Sequence, residues 1–346
     1  MTACAGPVWE APVPLAVGPG ALCAVGARAL TQHGEGVWAL DLATGARRQV
    51  ASIRGAAWFA PDCERFAVVA RRPRGVEAAV YDAAGQRRQT VLLDWDEGWS
   101  ASGAWALDGD DLLHVSSDGA QRFSLASGRA RWGWRRSDLR LGAFGSVAPL
   151  VAVPCDHQAA QRPPADRGVC VVDRRSGRLV EHADTPVARL ATSADTVFTL
   201  APDAVAAYDA RTWARHWRVP LPRASGAPEP VGVGAAVLVD GGFVVAGRGT
   251  ALLVLDARDG RVLHRLTKRD TSAPSLAGHT VAWTEPSGAV RMLDLSTGAE
   301  HAVASMRWCR ASLWADPWPC AEWTDLRVVP PYVVLGDDRR SGAWRP

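Results

Sequence analysis

Apolar and polar residues alternate along this chain in short runs, each closed by a tight-turn signal. Val37-Trp38-Ala39-Leu40-Asp41 is one such run, and Leu42-Ala43-Thr44-Gly45 turns the chain after it. A short apolar run bounded by a turn signal predicts a β-strand. Asp can accept hydrogen bonds from the backbone amides of the turn, and Gly supplies the positive φ that other residues resist. The phrase returns as EAAVYDAAG, AQRFSLASG, GVCVVDRRSG, AVAAYDARTW, ALLVLDARDG and AVRMLDLSTG. Its anchors are Asp41, Asp82, Ser124, Asp173, Asp209, Asp256 and Asp294, spaced by 41, 42, 49, 36, 47 and 38 residues.

A period of about 42 residues built from such strands predicts a β-propeller with one four-stranded antiparallel blade per repeat. With strands lettered A to D from the axis outward, the phrase is the third strand and its turn. For the Asp294 copy the strands are 275–278, Thr280–Thr284, Ala289–Leu293 and Glu300–Ser305. For the Asp41 copy the first three are Leu22–Gly26, Arg28–Gln32 and Val37–Leu40. Later blades begin near Ala56, Gly103, Leu141, Ala188, Val237 and Ser275.

Two segments are left over. Val8–Val13 reads as an outer strand without a blade, and the last twenty or so residues carry an A–B–C set, with Tyr332–Leu335 as B and Gly342–Arg345 as C. Together they make one more blade, which closes the ring and removes its free edges. The predicted fold is therefore an all-β, eight-bladed propeller closed by an N-terminal strand, forming a single domain over residues 1–346. Seven blades with terminal extensions is the alternative.

The repeats resemble PQQ-type propeller repeats, whose docking pattern is similar to A-L-D-x-x-T-G-x-x-x-W. Ala39-Leu40-Asp41 and Thr44-Gly45 match it, with Gln49 in place of the Trp. Trp132 and Trp217 stand at the docking offset, while the other copies have Gln89, Glu181, His264 and Ala302. WD40-like and YVTN-like propellers are alternatives of the same style. The resemblance implies a repeat scaffold. It also implies a minor reading as a quinoprotein dehydrogenase, with a quinone and Ca²⁺ in the central funnel, but no ligand set for those groups can be identified here.

In a propeller the A–B and C–D turns share one face, and the B–C and D–A connections share the other. The long connections 94–101, 132–139, 155–167, 220–230 and 306–324 all fall on the second face. Long loops on a rigid scaffold are where binding resides. Of 16 Trp, those at 38, 58, 105 and 283 lie in strands and read as core. Trp95, Trp99, Trp132, Trp134, Trp308, Trp314, Trp318 and Trp323 lie in or beside the long connections, and indole is enriched at binding hot spots. These eight are the candidate partner-binding residues; the competing reading is that they plug the loops onto the ring.

Net charge is +3, too small by itself to imply a nucleic-acid or anionic-membrane partner. Arg131-Trp132-Gly133-Trp134-Arg135-Arg136 interleaves basic and aromatic residues, but ordinary outer-strand alternation accounts for it. The basic set is Arg with one lysine, Lys268, which reads as the bias of a GC-rich bacterial genome. There is no run of 18 apolar residues, and the N-terminal stretch lacks a basic region and is broken by Pro and Gly, which points to a cytoplasmic location. A processed N-terminus would instead allow a periplasmic or secreted one. The seven Cys show no CxxC pair; Cys155 with Cys170 and Cys309 with Cys320 bracket loops and would be staples only in an oxidising environment.

Asp94-Trp95-Asp96-Glu97-Gly98 fails as a calcium loop, because Trp105 stands where the closing Glu belongs. No GxSxG, HExxH or Walker A occurs, and the eight His show no ligand spacing, so no catalytic residue, metal or cofactor is assigned. The function expected from these features is non-enzymatic: a monomeric binding or scaffold propeller that presents its Trp-rich loop face to a protein partner. The alternative is an enzyme with a hydrolase or lyase site in the axial funnel, which polar residues at the mouth of the inner strands would favour.

Overall fold

The computed structural model describes residues 9–11, 22–60, 62–95, 103–116, 118–135, 145–146, 150–155, 168–173, 175–182, 189–193, 195–201, 203–222, 235–268, 273–287, 289–305, 325–336 and 341–345. These residues form eight four-stranded antiparallel sheets, seven of them in simple sequence order. The eighth runs Trp9–Ala11, Ser341–Trp344, Tyr332–Gly336, Asp325–Val329 from its outer edge inward, with Trp9 opposite Ala343 and Ala11 opposite Ser341. The N-terminal strand thus completes the last blade. It is three residues long, shorter than the expected Val8–Val13, and the flanking positions lie outside the described residues.

Neighbouring blades are joined by apolar clusters. Eight clusters occupy eight seams, one per pair of adjacent sheets, so the sheets close into a ring. The strand Ala251–Asp256 shows how the sequence builds them. Its run Leu252-Leu253-Val254-Leu255 is apolar throughout because both of its faces are buried. Leu252 and Val254 pack toward blade seven with Val281 and Trp283, while Leu253 and Leu255 pack toward blade five with Phe198 and Val205. Each of the four side chains of this run is 1% exposed or less, and full burial of one is worth about 1.5–3 kcal/mol. The last seam sets Leu22, Ala29, Leu40 and Leu42 of blade one against Val329, Tyr332, Val334 and Ala343 of blade eight.

Strand positions follow the repeat closely, with the sequence assignment exact at Thr280–Thr284 and Glu300–Ser305 and within one residue for the first three strands of blade one. Three details differ. Blade four begins at Gly145 with a two-residue inner strand instead of near Leu141. The closing blade's third strand is Ser341–Trp344, one residue earlier than expected. The expected connection from Trp132 starts too early, because Ala130–Arg135 is the outer strand of blade three, with Trp132 opposite Arg122 and Trp134 opposite Ala120.

Candidate functional site

The two faces of the ring are built differently. On the turn-bearing face, an aspartate at the end of the third strand organises the chain reversal. Asp41 Oδ1 accepts hydrogen bonds from the amides of Ala43 at 2.8 Å and Thr44 at 3.2 Å. Asp209 accepts from the amide of Thr212 at 2.6 Å and its hydroxyl at 2.9 Å, and Asp294 from the amide of Ser296 at 2.8 Å and its hydroxyl at 2.6 Å. These donors favour the ionised carboxylate. The Ser296 hydroxyl holds Asp294 below its ordinary value, and backbone amides of Gln86, Ser176 and Thr212 do the same for Asp82, Asp173 and Asp209. The turn then needs a left-handed residue. Glycine fills that place at Gly45, Gly85, Gly128, Gly177, Gly260 and Gly298. In the fifth copy Trp213 takes φ 58° instead, and its ring stacks on Tyr208 at 4.8 Å. This face is consumed by its own architecture.

The turn glycines also receive the neighbouring blade. A Cβ on Gly260 would lie 2.7 Å from the indole of Trp217, and one on Gly177 would lie 2.6 Å from Trp132. Trp217 is 8% exposed and donates from Nε1 to the Ala257 carbonyl of the next blade at 3.1 Å. Gln89, at the same offset one blade after Gln49 and one before Trp132 in the repeat series, donates from Nε2 to the Leu125 carbonyl at 2.5 Å. Leu125 follows its anchor Ser124 as Ala257 follows Asp256, so the two side chains reach equivalent carbonyls.

The described tryptophans assigned to the long connections have structural partners, and Trp132 sits against the turn glycine Gly177. Trp95 opens the connection out of blade two and lies 5.5 Å from Trp105, 5.0 Å from His114 and 5.8 Å from Phe123, which fastens that connection to blade three. Trp132 and Trp134 are half-buried in the seam between blades three and four, with Leu113, Val115 and Val172. Residues at i and i+2 on a strand share a face, which explains the pair. Trp99, Trp308, Trp314, Trp318 and Trp323 lie outside the described residues. Of the tryptophans read as core, Trp105 and Trp283 are buried, and Trp38 and Trp58 are half-buried.

At the axis, the loop-face ends of the described inner strands carry mainly small or apolar residues, including Leu22, Ala56, Ala104 and Ala236. Arg189, Ser275 and Asp325 are polar exceptions, and two of them have structural partners: Arg189 donates to the Ala235 carbonyl at 3.3 Å, and Ser275 accepts from the Val328 amide at 2.9 Å. Arg327, further along the closing blade's inner strand, is largely desolvated, which pushes its guanidinium below the ordinary value. Among the described residues no group of three or more His, Cys, Asp and Glu is placed to hold a metal ion.

Sequence reasoning missed one bond. Cys23, on the inner strand of blade one, is joined to Cys63, in the A–B turn of blade two, as a disulfide with a sequence separation of 40 residues. The separation is close to one repeat, which puts like levels of adjacent blades side by side. That was the available signal. Cys170, fully buried in blade four, is also disulfide-bonded. No helix among the described residues is long and apolar enough to cross a membrane.

The fold is that of a β-propeller, and its repeats are similar to PQQ-like repeats. Residues 155–308 match the family model described as outer membrane protein assembly factor BamB. The fold is similar to BamB from Moraxella catarrhalis, with TM-score 0.60 and 13% identity over 99% of this chain and 100% of that one. It is similar to the computationally designed Ika8 protein, with TM-score 0.62 and 18% identity over 98% of this chain and 100% of that one. Hsv2 from Kluyveromyces lactis gives TM-score 0.52 and 10% identity over 80% of this chain and 93% of that one. Among curated proteins none matches this chain.

Proposed function

We propose that this protein is a non-enzymatic scaffold, a monomeric propeller that binds a protein partner on its loop-bearing face. The observation that carries the reading is the asymmetry of the faces. Turn-face aspartates and glycines are engaged in hydrogen bonds and blade docking, and the long connections lie on the opposite face. The family model over residues 155–308 describes an assembly factor, and that class of work supports a partner-binding role. Since Trp95, Trp132 and Trp134 are engaged in seams, the partner contact falls to Trp99 and to the four tryptophans of the 306–324 connection, Trp308, Trp314, Trp318 and Trp323.

The two disulfide-bonded cysteine sites favour an oxidising compartment over the expected cytoplasmic one, since reducing compartments keep thiols free. The test is a pull-down with the intact chain against one in which 306–324 is replaced by Gly-Ser, both made under oxidising conditions. Loss of specific partners from the second is the expected result. Identical partner sets from both would overturn the reading.

A further inference from the structure

Blade two differs from the others in its middle hairpin. Its B strand Arg65–Arg72 and C strand Gly75–Asp82 have eight residues each, whereas the equivalent strands of the other blades have four to six. The turn-face end is fixed, because Arg65 pairs with the anchor Asp82 as Arg28 pairs with the anchor Asp41. Blade one ends after six pairs, at His33 opposite Gly36. Blade two adds Arg71 opposite Val76 and Arg72 opposite Gly75. The two extra pairs carry the hairpin roughly 7 Å further out on the loop-bearing face, at about 3.4 Å per residue.

The projecting tip reads Arg71-Arg72-Pro73-Arg74, and all four residues are exposed. Arg54 joins them from the connection between blades one and two: a Cβ on Gly55 would lie 2.6 Å from the Val69 carbonyl, so that connection runs against the hairpin. The acidic counterweight in the hairpin's loop-face half is Glu77, which pairs with Arg72 at 3.4 Å. Beside them stands Leu92, 50% exposed and one of two exposed large hydrophobics among the described residues. Leu92 is opposite Glu77, which is opposite Ala70, so all three share the hairpin face turned toward blade one. A Cβ on Gly75 would lie 3.7 Å from Leu92 Cδ1, which puts the leucine against the base of the tip.

We propose that this hairpin is a docking finger for an acidic segment of a protein partner that carries an apolar anchor residue. The inference rests on the scaffold reading and gives the partner a chemistry. Arginine presents a planar fork that matches carboxylates in two-point contact. Pro73 fixes φ and removes a backbone donor at the tip, so the fork-bearing residues flank a stiff point. Leu92 faces sideways below the tip, where an extended segment lying along the hairpin reaches both the leucine and the arginines. A flat lipid surface meeting the tip would not reach it.

The test uses the full chain and a fluorescein-labelled peptide of glutamates flanking one leucine, read by anisotropy. The wild-type protein should bind with an affinity that falls as salt rises. The double variant Arg71→Glu with Arg74→Glu should lose at least about tenfold, since like charges then face each other. Leu92→Ala should weaken binding with little change in salt dependence. Arg258→Glu with Arg261→Glu, on the opposite face, should leave it unchanged. Absence of binding to wild type, equal loss in both double variants, or association with phosphatidylglycerol vesicles that the peptide does not displace would overturn the proposal. Should the peptide fail while partner capture still depends on 306–324, the finger is wrong and the scaffold stands. Should the peptide bind while both pull-downs agree, the loop-face reading fails by itself.

Discussion

The seam between blades five and six and the seam between blades two and three meet the same docking requirement with different side chains. In the first, the indole of Trp217 lies over Gly260 and its N–H reaches the Ala257 carbonyl. In the second, the amide of Gln89 reaches the equivalent carbonyl of Leu125 without a ring, and backbone takes the space: a Cβ on Gly128 would lie 2.0 Å from the Leu92 carbonyl. The shared element is a donor aimed at one carbonyl and a glycine that lets the neighbour approach. The tryptophan adds buried area to that arrangement, and the Gln89 copy keeps the hydrogen bond without that packing, whereas Gln49 donates to the Ala51 carbonyl of its own strand.

Cutting away the packing should produce the largest effect. Trp217→Ala should cost about 3–5 kcal/mol in denaturant unfolding, the range for deleting a buried aromatic. Gly260→Ala should be strongly destabilising in the wild type and less so beside Trp217→Ala, because part of its cost is the clash with the ring. A residual cost should persist from its φ of 75°. Additive effects in that double-mutant cycle would refute the contact.

Next in size is the covalently fastened seam between blades one and two. The disulfide closes a stretch of 40 residues, for which chain entropy gives about 4 kcal/mol at most. Cys23→Ser with Cys63→Ser should therefore unfold well below the oxidised wild type and match the wild type in reductant if Cys170's bond is kept from changing. Equal midpoints for oxidised wild type and the variant would show that the bond does not fasten the seam.

Deleting residues 1–14 strips the outer strand from blade eight. With three paired residues, at roughly 0.5–1.5 kcal/mol per ladder bond, the loss should be about 2–4 kcal/mol. A melting point within a degree or two of the full chain's would exclude Trp9–Ala11 as a fastening. Gln89→Ala should cost less, about 1 kcal/mol, as expected for one hydrogen bond. A cost as large as that of Trp217→Ala would mean that the amide contributes more than a donor.

The smallest effect comes from acid. Asp82, Asp173, Asp209 and Asp294 all have folded pKa values lowered from 3.8, so the unfolded chain binds protons first as pH falls. Their contribution is complete above the unfolded value and is lost as pH drops through the folded one. Thermal midpoints should stay level from neutral pH to about 5 and decline below about 4. Asp→Asn at these four positions together should flatten that decline.

The fold was legible because each repeat states its own strands and turn within about 42 residues, and seven copies place one another. Gln89 was harder to read. Its type departs from the docking pattern, and only in the folded ring does its amide reach the carbonyl an indole reaches elsewhere. The Cys23–Cys63 bond was hidden for a related reason: its partners are neighbours only once two blades stand side by side, and its one signal is a separation close to a single repeat. The candidate tryptophans divide by strand geometry. Trp132 and Trp134 lie two apart on an outer strand and share its seam face, while Trp95 leaves its strand and packs on the next blade.

The blade assembled from both ends sets an order on synthesis. Trp9–Ala11 leaves the ribosome long before its partner strand Ser341–Trp344. Until then seven sheets can form one after another, but the first has no neighbour on one side, and Leu22, Ala29, Leu40 and Leu42 wait uncovered. Closure joins Ala11 to Ser341 across nearly the whole chain. If made in an unfolded chain, that contact would be slow, but it is made between the ends of a stack already curved back on itself, so little searching is left. A nascent chain stalled before residue 341 should accordingly hold most of its sheets and remain sticky at both ends, a natural client for whatever shields exposed surface during synthesis.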